Sequence, residues 1–147
     1  MQVINKRDAL EKLRRAKGAH IKWRAYAQAL VSGVAVSEDN IPVDHTACAF
    51  GKWYHGMGRQ QLSHLAAYEG VATPHEMLHA IYKRIFDVLH TPPSRRGLHG
   101  LFSTKFAREA EQMERARYYM EELVGVSETL LKALDILEQE IRELPDA

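Results

Sequence analysis

The last third of the chain carries the feature that most restricts the fold, a series of apolar and small residues spaced three and four apart between Phe102 and Leu144. The series comprises Phe106, Ala110, Met113, Met120, Leu123, Ser127, Leu130, Leu134, Leu137, Ile141 and Leu144. Such spacing places side chains on one face of an α-helix. We therefore predict one long helix that is capped by Ser103 or Thr104 and bent near Gly125. Its length suits it both to a core and to contact with a partner.

A second series with this spacing predicts a helix from Asn5 to Val31, ended by Gly33 and followed by a loop over residues 34–44. The series is Leu10, Leu13, Ala16, His20, Trp23, Ala27 and Leu30. His20 therefore lies on the buried face of the helix. A single histidine in such a place is more often a hydrogen-bonded core residue than a ligand, so its meaning depends on partners.

The chain has a single cysteine, Cys48, which we place in the first turn of a short helix capped by Asp44 or Thr46. The helix dipole and Lys52 would favour the thiolate form there. A glycine inside a helix costs about 1 kcal/mol relative to alanine, so Gly51 predicts a close approach by another segment.

Aromatic side chains next to the cysteine are expected to form an apolar wall around its sulfur, although core packing alone would also explain them. These side chains are Phe50, Trp53 and Tyr54. Gly56 and Gly58 are then expected to break the segment. The apolar pattern that follows predicts a short helix over residues 62–68, before Gly70.

The stretch Thr73-Pro74-His75-Glu76 is typical of a capping box with Thr73 at the N-cap. It predicts a helix that runs through Leu89 to a proline stop at residues 92–93, followed by a loop to residue 101. His75 and His79 lie one turn apart on the apolar face of this helix, so both can reach the same ion.

Composition limits the possible functions. The 147 residues predict a single domain over 1–147, with residues 126–144 as a helical extension. The 20 basic and 19 acidic residues give a formal charge of +1, which predicts no nucleic-acid partner. No apolar run approaches the ~20 residues of a membrane span, and we expect no membrane association. One cysteine and no secretory leader predict a reduced, cytoplasmic protein.

Together these elements predict an all-α fold, a four-helix bundle with a broken short second helix and a long C-terminal helix. His20, Cys48, His75 and His79 then come from three helices and supply one thiolate and three imidazoles, the ligand set of a tetrahedral zinc site. Because protein ligands fill all four positions, no position is left for water. We therefore expect a regulatory protein and not an enzyme.

These residues resemble the motif of the chemoreceptor zinc-binding (CZB) domain, a bacterial cytoplasmic helical-bundle module of chemoreceptors and zinc-controlled diguanylate cyclases. The matching motif is His20-x-x-Trp23, Cys48-x-Phe50-Gly51-x-Trp53-Tyr54 and His75-x-x-x-His79. The resemblance implies that His20, Cys48, His75 and His79 are the zinc ligands. It implies that Trp23, Phe50, Gly51 and Trp53 support the site. We add Lys52 as a further supporting residue.

The resemblance also implies zinc sensing, homodimerisation and, in some members, sensing of oxidants through the ligand cysteine. Since the chain has no recognisable chemoreceptor hairpin or cyclase domain, we expect a chemoreceptor, a diguanylate cyclase or another signalling protein as a partner in trans.

Two other functions fit parts of the sequence. A hemerythrin-like di-iron or oxygen-binding bundle also uses helical histidine pairs, but it needs bridging carboxylates, and Glu76 is expected to point away from His75 and His79. The second alternative is a purely structural helical interaction module, in which the thiol would be incidental. The other histidines are expected to be mostly exposed, with His45 or His55 near the sulfur. They are His45, His55, His64, His90 and His99.

Overall fold

A computed structural model of the chain describes residues 4–35, 44–90 and 104–145. Helix α1 spans Lys6–Val31, and the side chain of its N-cap residue Asn5 accepts a backbone hydrogen bond from the first turn. Gly33 adopts a positive φ of 88° at the other end, and the N–H of Val34 reaches back to the carbonyl of Ala29. This glycine-based cap confirms the predicted end of the helix. Most of the predicted loop after it lies outside the described residues.

The second helix of the bundle is composite. Helix α2 spans Ala49–Trp53, a π-helical turn spans Tyr54–Gly58, and α3 spans Arg59–Leu62. Gly56 within the π-helical turn has non-helical φ and ψ angles of −100° and −108°, so the path kinks at one of the two glycines that were predicted to break it. Gly58 is required there, because a Cβ atom at this position would lie 2.9 Å from the carbonyl oxygen of Trp53.

The cap of α2 differs from the prediction. Cys48 is itself the N-cap residue, and its Sγ accepts a hydrogen bond from the N–H of Gly51 at 3.2 Å. Asp44 instead accepts hydrogen bonds from the N–H and hydroxyl of Thr46, within the turn that precedes the cysteine. The better capping residues are thus used one turn earlier.

The segment before the next helix also differs from the prediction. Residues 63–68 form turns and not a helix, and a 3₁₀ helix over Glu69–Val71 contains Gly70. That 3₁₀ helix continues directly into α4, Ala72–His90, so Thr73 lies inside the helix and the predicted capping box is wrong. Pro74 is accommodated in the first turn, where its missing N–H has no intrahelical partner to lose. The predicted proline stop and the loop to residue 101 lie outside the described residues.

Helix α5 spans Lys105–Glu143 without interruption at Gly125. The side chain of Thr104 accepts the N–H of Ala107 at 3.0 Å, which confirms this residue as the cap. The predicted apolar series is wrong at its beginning, because Phe106 is 82% exposed. The Gln112 side chain donates to the carbonyl of Val88 near the end of α4, so the first turns of α5 extend beyond the described part of α4.

Helix α5 packs along both α1 and α4, and it buries the apolar series from its middle to its end. Fully buried side chains from all three long helices form the core, among them Leu13, Leu78, Ile85, Leu123, Leu130, Leu134 and Ile141. The described residues contain no strand. The fold is the predicted all-α four-helix bundle with a composite second helix and a long C-terminal helix.

Within the three described ranges, no helix combines the length and the apolar character needed to cross a membrane.

Candidate metal centre

Four side chains that are distant in sequence meet inside the bundle. His20 from α1, Cys48 at the start of α2, and His75 and His79 from α4 are all buried, and one ligand atom of each lies within 4.8 Å of the others. We call this group the His₃Cys cluster. The four residues predicted from sequence as metal ligands are therefore brought together at one place.

The imidazole of His20 is held in a defined orientation. Its Nδ1 lies 2.6 Å from the carbonyl oxygen of Ala16, one turn earlier in α1. Because a carbonyl can only accept, Nδ1 carries the hydrogen and Nε2 carries the lone pair. Nε2 is buried and has no hydrogen-bond partner in the described part of the chain. This arrangement of one anchored and one available nitrogen is usual for a metal-ligating histidine.

Cys48 is positioned by its own helix terminus and by a close backbone approach. Its Sγ lies 3.2 Å from the N–H of Gly51 and 3.4 Å from Nε2 of His75. A Cβ atom on Gly51 would lie only 1.7 Å from the carbonyl oxygen of His45. The close approach predicted from Gly51 is therefore confirmed, and the approaching segment is the turn that leads into the cysteine.

The electrostatic environment of the thiol is less favourable to the thiolate than the sequence suggested. Burial raises the pKa of Cys48, while the backbone N–H groups of Gly51 and Phe50 oppose this rise to a smaller extent. Lys52 is exposed, and assistance from its charge stays a prediction. A cation at the cluster would favour the thiolate, since a metal ligand must be deprotonated.

The two histidines of α4 are also suited to bind a cation. Burial, assisted by the neighbouring imidazoles of His20 and His79, lowers the pKa of His75 to about 2. His75 is therefore neutral at physiological pH and has a free lone pair. The ring centroids of His75 and His79 lie 4.7 Å apart, as expected for one face of a helix.

Aromatic rings enclose the cluster on two sides. Trp23 packs edge to face against His20 and His79, with ring centroids 4.9 Å and 4.7 Å apart. Phe50 packs in the same manner against His75 at 5.1 Å, and Trp53 lies behind Phe50 at 5.9 Å. Phe50 and Trp53 belong to the predicted apolar wall, and its third member, Tyr54, packs against Phe50 with ring centroids 5.6 Å apart. Trp23 adds a side from α1, and together these rings limit contact between the cluster and water.

The cluster fits the requirements of tetrahedral zinc. Zinc–nitrogen and zinc–sulfur bonds of about 2.0–2.3 Å place neighbouring ligand atoms about 3.3–3.7 Å apart, and the 3.4 Å between Cys48 Sγ and His75 Nε2 lies in that range. The group contains no carboxylate, and Glu76 is exposed. The described residues thus give a di-iron site no bridging ligand.

Some contacts of the site were not foreseen. The carbonyl of Ala16 orients His20, yet every helix offers a carbonyl at this spacing, so the sequence holds no specific signal for it. His45 is half-buried, with its ring 5.9 Å from that of His75, whereas His55 is exposed. His64 and His90 are exposed as expected, and His99 lies outside the described residues.

Comparison with known families agrees with this geometry. Residues 20–86 match the family of the chemoreceptor zinc-binding domain, and this range begins at the first residue of the His₃Cys cluster and includes all four. Neither the curated proteins nor the solved structures give a match. The matched segment and the buried three-histidine, one-cysteine group support a zinc-binding module. The family that it resembles is a regulatory and sensory domain and not a known enzyme family. Residues 20–86 of the chain are therefore similar to the chemoreceptor zinc-binding domain.

Proposed function

We propose that the His₃Cys cluster holds one zinc ion with all four of its side chains, and that the protein acts as a zinc-dependent regulatory module. The observation that carries this proposal is the convergence of four buried ligand atoms within 4.8 Å from three separate segments. Zinc, when bound, supplies a tetrahedral centre without redox chemistry of its own. We also propose that residues 1–147 act as a single domain and that the closed ligand set performs no catalysis.

The regulated element in this proposal is the cysteine segment, which we define as residues 44–58. It includes the shortest regular helix of the site and a π-helical turn in which Gly56 departs from helical geometry. The sulfur of Cys48 is its only contribution to the cluster. Release of this one ligand would therefore remove the metal link between the segment and helices α1 and α4, which hold the three histidines.

Two events would release Cys48. One is a fall in available zinc, because a site made of separate segments loses its cross-link when the metal leaves. The other is attack of the thiolate on a peroxide, in which the oxygen–oxygen bond breaks, one oxygen atom is transferred to the sulfur and the other leaves as water or an alcohol; the resulting sulfenic acid is no longer a thiolate ligand. We propose that the protein works in the cytoplasm, where the thiol stays reduced until such an event.

We propose a homodimer as the signalling form, with a chemoreceptor, a diguanylate cyclase or another signalling protein as the partner. Helix α5 supports this assignment, because Tyr118 and Ile136 expose large apolar side chains along it. Light scattering at several concentrations, with zinc and after chelation, tests for the dimer. A monomer under all conditions would contradict this part of the proposal without affecting the zinc site.

Metal analysis of protein purified without added zinc tests the site itself. We expect one zinc per chain, loss of zinc in His79→Ala and weaker binding in Cys48→Ala. His64→Ala is the matched control, because His64 is exposed and lies outside the cluster. Absence of bound metal from the wild type after incubation with zinc would refute the proposed site.

Hydrogen exchange tests the regulated element. We expect amides of residues 44–58 to exchange faster after chelation, while the middle of α5 keeps its protection. Equal exchange of the cysteine segment in both states would contradict its proposed role.

A further inference from the structure

A small cavity leads to the sulfur side of the His₃Cys cluster. Its volume is about 190 Å³, and both His20 and Cys48 contribute to its lining. The rings of Trp23 and Phe50 also line it, so the cavity is mainly apolar next to the cluster. A molecule in this cavity would therefore contact Cys48 without any displacement of the long helices.

The charged residues of the cavity are both basic. Lys12 and Arg15, on neighbouring turns of α1, line it together with the site residues. Arg15 is paired with Glu11 at 2.9 Å, and this pair is exposed. Lys12 is half-buried, and no carboxylate among the described residues forms an ion pair with it. Lys12 thus supplies the cavity with a positive charge that no fixed anion balances.

We propose that this cavity is an entry site for small anions, which it directs to the sulfur of Cys48. A positive charge at the mouth of a low-dielectric pocket raises the local concentration of anions relative to neutral molecules of the same size. The aromatic lining favours small molecules that carry an apolar group beside the charge. The relevance of this entry to signalling rests on the proposed zinc function, but the selectivity itself does not.

A pair of alkylating reagents tests the selectivity. Iodoacetate and iodoacetamide are nearly equal in size, and only the first is an anion. In both reactions the thiolate attacks the methylene carbon, a carbon–sulfur bond forms, and iodide leaves with the electrons of the carbon–iodine bond. Because Cys48 is the single cysteine of the chain, the mass of the intact protein reports its modification directly.

The measured quantity is the ratio of the iodoacetate rate to the iodoacetamide rate. Both reagents need the same thiolate, so a change in thiolate fraction cancels in this ratio. In zinc-free protein we expect Lys12→Glu to lower the ratio at least about threefold and Lys12→Gln to lower it less. Lys22→Glu is the control with the same change in net charge, because Lys22 lies on α1 but does not line the cavity.

The wild type gives an independent measurement that needs no substitution. Its rate ratio should fall as salt rises from about 0.02 to 0.5 M, because salt screens the attraction of the anion. Ratios that are equal in wild type, Lys12→Glu and Lys22→Glu, and that do not depend on salt, would overturn the proposal. Since the protein is zinc-free in this experiment, that result would leave the proposed zinc site untouched.

Discussion

Tyr54 and Tyr68 form a reciprocal pair, in which each phenolic hydroxyl donates a hydrogen bond to the backbone carbonyl of the other residue. Their rings are stacked, with centroids 4.3 Å apart. Tyr54 begins the π-helical turn after the cysteine helix, and Tyr68 precedes the 3₁₀ helix that continues into α4. The pair therefore ties the end of the cysteine helix to the start of the helix that carries His75.

Replacement of either hydroxyl in this pair should destabilise the protein without a change in packing. We expect Tyr54→Phe and Tyr68→Phe each to lower the free energy of unfolding by about 1–2 kcal/mol, because each removes a buried hydrogen bond. Urea unfolding monitored by circular dichroism measures this change. Tyr118→Phe is the control, since Tyr118 is 61% exposed. An equal effect at Tyr118 would contradict the special role of the pair.

The same pair should make stability sensitive to alkaline pH. Burial raises the pKa of Tyr54 and Tyr68 above the ordinary value of 10.0. Because the pKa is raised, the contribution of these two hydroxyls to the free energy of unfolding is complete below pH 10. It is lost as pH rises through the folded-state pKa. We expect the free energy of unfolding to fall above pH 10, and to fall less steeply in the Tyr54→Phe and Tyr68→Phe double variant. Parallel pH curves for the two proteins would refute this explanation.

Much of the fold could be predicted because local chemistry decides it. The end of α1 needs a residue that tolerates positive φ, and Gly33 is such a residue. The start of α5 needs a side-chain acceptor, and Thr104 supplies it. The meeting of the three histidines was also predictable, because the apolar faces of α1 and α4 must face one interior and the polar residues on those faces must meet there.

The errors arose where tertiary contacts override local preference. Asp44 and Thr46 are better capping residues than a thiol, yet Cys48 caps α2 because its sulfur is also held next to His75. Thr73 has the right neighbours for a cap, but the preceding 3₁₀ helix already continues into α4. The pairing of two tyrosines fourteen residues apart depends on the path of the turns between them, and no periodic pattern encodes that path.

Alanine at two glycines should have opposite effects. Gly51→Ala places a Cβ atom 1.7 Å from the carbonyl oxygen of His45, so the backbone of the cysteine segment must move. We expect a loss of about 3 kcal/mol and weaker zinc binding. A Cβ atom on Gly18, inside α1, would meet nothing within 4 Å, so Gly18→Ala should stabilise by about 0.5–1 kcal/mol. Thermal unfolding and zinc titration distinguish the two, and a harmless Gly51→Ala would show that the approach is not tight.

An ion pair between α1 and α5 should stabilise the folded protein only while its carboxylate is charged. Lys17 contacts Glu138 and Asp135, and the side chains of Lys17 and Glu138 are 23% and 24% exposed. The hydrogen bond from Lys17 is the main cause that lowers the pKa of Glu138 below its ordinary value of 4.5. The contribution of the Glu138 carboxylate to the free energy of unfolding is therefore complete above pH 4.5, and it is lost as pH falls through the lower folded-state pKa.

A double-mutant cycle of Lys17→Gln and Glu138→Gln measures this coupling. We expect about 1 kcal/mol at pH 7 and low salt, and a smaller coupling at pH 3 or in high salt. The exposed pair Arg15–Glu11 is the comparison, for which a smaller coupling is expected because both side chains are well solvated. A coupling that persists at pH 3 would show that packing, and not charge, joins the two residues.

Substitution of His20 should affect stability differently in the zinc-free and in the zinc-bound protein. In zinc-free protein Nε2 of His20 is buried without a hydrogen-bond partner in the described ranges, and such a group costs about 1–3 kcal/mol. Leucine has a similar volume and no polar atom, so His20→Leu should be neutral or stabilising in the presence of a chelator. The carbonyl of Ala16 loses only a side-chain contact, because it remains within the hydrogen-bonded helix α1.

In zinc at a hundredfold excess over the dissociation constant, the wild type should gain about 2.7 kcal/mol, whereas the variant should gain much less. Urea unfolding with zinc and with chelator gives all four values. Leu78→Ala is the control, because it removes a buried apolar side chain of α4 that is not in the cluster, and it should destabilise both states equally. If His20→Leu destabilised the zinc-free and zinc-bound protein to the same extent, His20 would be an ordinary core residue and not a ligand.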